Sequence, residues 1–111
     1  MNRYLLLSFL LMLFINAKAQ KVYSVEYSNQ ADVKVFVVDY ANQADLHVYK
    51  VSYANQTGKN DGKWFFVKYA NQAEKKVYFT DYANQADVKI FFVEYANQAK
   101  WVKKEKQHFF Y

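Results

Sequence analysis

The sequence predicts a mainly β protein made of six short strand-plus-bend repeats in two similar halves. Three observations carry this. The pair Asn-Gln recurs at Asn29, Asn42, Asn55, Asn71, Asn84 and Asn97, at intervals of thirteen residues with one of sixteen. Within each unit, aromatic and β-branched residues alternate with a period of two, the mark of a half-buried strand. Three units precede the long interval and three follow it, and that interval holds both glycines, Gly58 and Gly62. An internal period this regular governs the fold and is read first.

Residues 1–19 read as an export signal. Arg3 supplies the positive start, Leu5 to Ile15 is apolar apart from Ser8, and Ala17-Lys18-Ala19 gives the small-x-small pattern that places cleavage before Gln20. A membrane anchor is the alternative, but the apolar run is about half of the roughly 20 residues a spanning helix needs. The chain has no cysteine, which excludes a lipid-modified cysteine and any disulfide. What remains, residues 20–111, is enough for a single small domain, which is expected to be monomeric. A domain of this size buries a modest share of its surface, so its many aromatics are the expected source of stability.

Each unit aligns into columns. Tyr23, Phe36, Tyr49, Phe65, Tyr78 and Phe91 form an aromatic column. Two residues on stand Val25, Val38, Val51, Val67, Thr80 and Val93, and two further on Tyr27, Tyr40, Tyr53, Tyr69, Tyr82 and Tyr95. This parity is expected to face the core, with the invariant tyrosines packed inside. The intervening column, Val22, Val35, Val48, Trp64, Val77 and Ile90, is also apolar, so the first half of each strand is expected to be covered on both faces.

After each tyrosine comes Ala-Asn-Gln or, once, Ser-Asn-Gln. These residues disfavour strands, and Asn bonds readily to local backbone. A buried bend or single helical turn is expected, its amides satisfying one another. The alternative is an exposed polar row that binds a ligand. Thr57-Gly58-Lys59-Asn60-Asp61-Gly62 reads as a reversing turn joining halves of about 20–57 and 63–111. Between Gln20 and Gln98 nine lysines balance nine carboxylates, whereas Lys100, Lys103, Lys104 and Lys106 face only Glu105 in the tail.

Three segments carry a family resemblance: Val33-Lys-Val-Phe-Val-Val-Asp-Tyr-Ala-Asn-Gln-Ala-Asp45, its close copy at Val88–Gln98, and Asn60-Asp-Gly-Lys-Trp-Phe-Phe-Val67. Over about residues 21–111 the chain resembles the 7(1) septoil knot domain family of small bacterial proteins. The resemblance implies a mainly β fold whose backbone is tied in a deep seven-crossing torus knot. It supplies no activity, ligand or functional residue. Periodicity alone points to a small solenoid or barrel, since knots are rare.

Chemistry finds few candidates. His47 occupies a column otherwise filled by lysine, and His108 sits in the tail; no metal-ligand spacing is visible. Mature serines lack a nucleophile-elbow setting, and the carboxylates read as partners in exposed ion pairs. The expectation is therefore no enzyme, with no catalytic, cofactor-binding or metal-binding residue and no cofactor. An exported structural or interaction module, periplasmic or secreted, is expected; the alternative is a domain binding glycan or an anionic surface through the basic tail and exposed aromatics such as Phe66, Phe79 and Phe92, although the favoured reading has these three close the core and Trp101 and Phe109–Tyr111 pack on the last strand. Nucleic acid is not an expected partner for an exported chain with a neutral body. Strands of six or seven residues fall short of the roughly 9–11 that cross an outer membrane.

Overall fold

A computed structural model describes residues 20–111; the expected leader, residues 1–19, lies outside the described residues. The β-branched, aromatic segments form strands β1 (Lys21–Ser24), β2 (Val33–Val37), β3 (Leu46–Lys50), β4 (Lys63–Phe66), β5 (Lys75–Phe79) and β6 (Val88–Phe92). A short β7 (Lys100–Trp101) precedes a closing 3-10 segment, Lys104–Phe110. Around the sheet the order is β4-β1-β5-β2-β6-β3, and β3 pairs with β4 to close a barrel of six parallel strands. β7 adds antiparallel to β3, with Leu46 opposite Trp101.

Neighbouring strands come from opposite halves of the sequence. To pass from β1 to β2 the chain crosses over β5: Val25 N donates to Val77 O on one flank of β5, and Asp32 N donates to Lys76 O on the other. The same crossing recurs over β6, where Val38 N meets Ile90 O and Asp45 N meets Lys89 O. Each half is thus wound around the other, the path a torus knot requires. Parallel neighbours in sequence normally need a long helical crossover. Here the next strand of the same half lies one lane further on, and each strand is displaced by two residues against its neighbour, as in Lys50 opposite Trp64 and Val22 opposite Phe66. That steep stagger brings a strand's end near the next start, so a short bend suffices.

The stagger sets equivalent residues at one level of the barrel. Val22, Val35, Val48, Trp64, Val77 and Ile90 are all fully buried and form the central layer. Six inward side chains must share one small interior, so compact β-branched residues fill most positions and a single tryptophan fits among them. This reverses the expected assignment of faces. The Tyr23 column points outward and is half-buried beneath the bends, so the strands are indeed covered on both sides.

The invariant tyrosines are not in the core. Tyr27, Tyr40, Tyr53, Tyr69, Tyr82 and Tyr95 are 63–69 % exposed, because the ladder ends before them and each stands at the start of a 3-10 turn on the outside of the barrel. Helical turns occur where expected, but they are exposed rather than buried. Their backbone satisfies itself: Gln43 N donates to Tyr40 O (3.0 Å) and Ala44 N to Ala41 O (3.2 Å), repeated in all six units.

The 57–62 segment is not the turn of an antiparallel hairpin, since β3 and β4 run parallel. It returns the chain across β4 to that strand's own start. Gly62 is required there: its φ is +91°, and a Cβ would lie 2.5 Å from His47 O.

Opposite ends of the barrel are closed differently. At the end where the strands begin, Phe110 is 2 % exposed and its ring lies 5.1 Å from Trp64 and 5.9 Å from Trp101. At the other end Phe66, Phe79 and Phe92 pack on the core, and Lys50 Nζ lies over Phe92 at 4.6 Å and Phe66 at 5.4 Å.

Candidate functional site

The repeat builds its most regular feature on the outside. Each unit leaves its strand, turns through Ala-Asn-Gln (Ser-Asn-Gln in the first) over a strand of the other half, and re-enters the sheet. Six such turns girdle the barrel and present tyrosine, asparagine and glutamine to solvent. Some glutamines serve the turn itself: Gln56 Oε1 accepts from Tyr53 N (2.9 Å) and Ser52 N (3.0 Å), and Gln98 Oε1 accepts from Tyr95 N (3.2 Å). The asparagine amides take no part in these bonds and have no partner among the described residues.

Grooves run between successive turns. One, of about 510 Å³, is lined by Tyr23, Glu26, Tyr27, Gln30, Ala70 and Lys76. Another, of about 560 Å³, includes Ala41, His47, Phe91, Glu94, Asn97 and Gln98. The two are built from equivalent repeat positions. Tyr23 matches Phe91 as an aromatic wall, Glu26 matches Glu94, Gln30 matches Gln98, and Lys76 matches His47. Aromatic surface with a few converging polar groups is what small-molecule and sugar-sized sites require.

The aspartates that end the bends have a role the sequence reading missed. Asp32 Oδ2 accepts from Lys76 N (2.8 Å), Asp45 Oδ2 from Lys89 N (2.9 Å) and Asp87 Oδ2 from Lys34 N (2.9 Å). All three bind backbone of the other half; among the described residues Asp32 and Asp87 form no ion pair, and an exposed pair of the expected kind joins Asp61 to Lys63 at 4.0 Å. The signal was present as an aspartate following Gln-Ala in each of those units.

Asp45 differs from the others. It is 1 % exposed, and Lys106 Nζ lies 3.1 Å and Lys103 Nζ 3.4 Å from its carboxylate. Burial alone would raise its pKa, but the Lys89 N–H, the Lys106 hydrogen bond and the charges of Lys106 and Lys103 outweigh burial and hold it below the ordinary value of 3.8. Two of the four tail lysines therefore have a structural partner. Asn60 ties the same tail down: its Nδ2 donates to Gln107 O (2.8 Å) and its Oδ1 accepts from Trp101 Nε1 (3.0 Å). The tail packs against the barrel as a plug, while Tyr111 stays exposed.

His47 Nε2 donates to Ala41 O (2.9 Å) and its ring meets Phe91 edge-on at 6.0 Å. His108 Nδ1 donates to Glu105 O (2.9 Å). Among the described residues no group of three or more His, Asp or Glu is arranged to hold a metal ion. No helix among them is long and apolar enough to cross a membrane.

Among family models, that of the 7(1) septoil knot domain matches residues 19–102. Comparison with curated proteins and with solved structures yields no match.

Proposed function

The chain belongs to the 7(1) septoil knot domain family, and from that premise we propose that it is a non-catalytic interaction module of the bacterial envelope or exterior. The observation that carries this reading is the belt of turns. A barrel filled with Val, Ile and Trp and plugged at one end by Phe110 serves as a rigid support, and the exposed polar chemistry is concentrated in six repeats of one surface unit. Such a surface favours weak, multivalent contact over a single deep site. The winding of the two halves adds resistance to opening, an asset outside the cytoplasm. The protein acts as a monomer, without nucleic acid.

Export is tested by fractionating the producing cells and taking the intact mass of the chain. A product beginning at Gln20 in the periplasm or medium is expected; an uncleaved chain in the cytoplasm refutes the reading.

A specific observation favours glycan as the ligand class: the two equivalent grooves pair an aromatic wall with a carboxylate and a primary amide. Aromatic faces pack on the apolar faces of sugar rings, while carboxylates and amides bind vicinal hydroxyls. The neutral body and the acids in both grooves disfavour a polyanion. Binding to insoluble cellulose, chitin and peptidoglycan tests this with three proteins: wild type, Glu26→Gln with Glu94→Gln, and Lys104→Glu. Loss on the paired groove substitution, with Lys104→Glu unaffected, is expected. The opposite pattern assigns the activity to the basic tail, and no binding by wild type removes glycan as the ligand.

A further inference from the structure

We infer that Gln20 is a modification site and that the mature chain begins with pyroglutamate. This rests on the export reading, because cleavage after Ala17-Lys18-Ala19 would make Gln20 the first residue. In the fold Gln20 is no frayed end. It is 3 % exposed, and its carbonyl accepts from Phe65 N at 3.0 Å, joining β1 to β4. Its side chain stands two residues before Val22, on the inward parity of β1.

The side-chain amide is poorly served there. Nε2 reaches Phe110 O only at 3.5 Å, the outer limit of a hydrogen bond. Oε1 is buried with no partner among the described residues. Cleavage would add a second difficulty, a free α-ammonium on a buried residue beside the Phe110 plug. An unpaired buried charge is far costlier than an unpaired amide.

Cyclisation relieves the larger problem at little loss. The unprotonated α-amine attacks Cδ of its own carboxamide. A bond from the α-nitrogen to Cδ closes a five-membered lactam, the Cδ–Nε2 bond breaks, and Nε2 leaves as ammonia, taking one proton from the amine. Nothing is oxidised or reduced, and no co-reactant is consumed. The charge disappears, the carbonyl oxygen is kept, and the atom discarded is the one whose only contact is marginal. Closure belongs to the interval between cleavage and the seating of β1 between β4 and β5, while the terminus is still accessible.

Intact mass and N-terminal sequencing of the chain recovered from the exporting cells test this. A mass one ammonia below that of the Gln20-to-Tyr111 chain, with a terminus blocked to sequencing, is expected. A cleaved chain with an intact, sequenceable Gln20 overturns the inference and leaves export standing; an uncleaved chain overturns both. A second measurement is independent of the host. Mature chain beginning at Gln20 is unfolded, treated with a glutaminyl cyclase, refolded and compared with untreated chain by thermal melting. The cyclised form is expected to melt several degrees higher; an equal or lower melting temperature refutes the physical argument.

Discussion

Replacing Asp45 by Ala is expected to loosen the tail plug and lower stability by about 3–5 kcal/mol. The side chain makes three contacts: Lys89 N at 2.9 Å, Lys106 Nζ at 3.1 Å and Lys103 Nζ at 3.4 Å. Hydrogen bonds to a charged group contribute about 1.5–3 kcal/mol each when buried, which applies to the first and, in part, to the second. Lys103 is more than half exposed, so its pairing adds at most about 1 kcal/mol. The backbone contacts of residue 45 with Lys89, Val102 and Lys103 survive the substitution. Asp45→Asn keeps an acceptor for Lys89 N and loses the charge, so about 1–2 kcal/mol is expected. The pH dependence has a definite sign. Because the folded pKa is depressed, Asp45 stabilises the protein fully above the unfolded value near 3.8 and loses that contribution as pH falls through the folded value. Urea unfolding at neutral pH and at successively lower pH measures both effects, and trypsin cleavage after Lys103 or Lys106 reports local release of the tail. A cost below about 1 kcal/mol for Asp45→Ala, or an Asp45→Asn protein with the wild-type acid profile, refutes the reasoning.

Other positions give sharper contrasts. Tyr53→Ala is expected to change the unfolding free energy read from urea denaturation by no more than about 0.5 kcal/mol, as at other surface sites; a loss of several kcal/mol would return the tyrosine column to the core. Phe110→Ala should cost about 3–5 kcal/mol, read by chemical denaturation, because its ring closes the barrel against Trp64 and Trp101. Gly62→Ala forces a side chain into positive φ and against His47 O, so a loss of at least about 1–3 kcal/mol is expected by thermal melting.

The repeat, the strands and the helical character of the bends were legible because each rests on local chemistry: period-two β-branched runs, and Ala-Asn-Gln where a strand cannot continue. The buried face was not. Both parities are apolar through the first half of every strand, and pattern alone ranks six aromatics above a column of five medium side chains and one tryptophan. Closure decides otherwise, since a six-stranded interior holds Val22, Val35 and Val48 with Trp64 but has no room for Tyr or Phe from every strand. The tyrosines followed the same error one step on: Tyr27 shares the parity of Tyr23, but the ladder stops at Ser24. Asp45 looks like Asp32 and Asp87 in sequence, and only the return of the tail sets it apart. The groove residues Glu26 and Glu94 were visible as polar positions, but the bends that wall them in come from units distant in sequence.

The inner layers explain why two halves of such similar pattern pair with each other. At the end where the strands finish, the first half contributes Ser24, Val37 and Lys50, and the second contributes Phe66, Phe79 and Phe92 at equivalent register. Because the halves alternate around the barrel, each large side chain stands between smaller or flexible ones, and Lys50 lies across two of the phenylalanine rings. Two copies of the first half would leave that layer underfilled, and two copies of the second would crowd six phenylalanines into it. This layer is the mouth of the barrel, where Ser24, Val37 and Lys50 are exposed and the phenylalanines half-buried, so either mismatch would cost less than in the central layer but would still disfavour the pairing. The outer surface is under the reverse constraint. A bend over any strand meets the same backbone geometry, so the Tyr-Ala-Asn-Gln unit can repeat with one change, Ser28, while the residues beneath it differ. Identity on the outside and alternation on the inside are therefore two consequences of one winding: the turns see six equivalent positions, and the core sees two unlike threads.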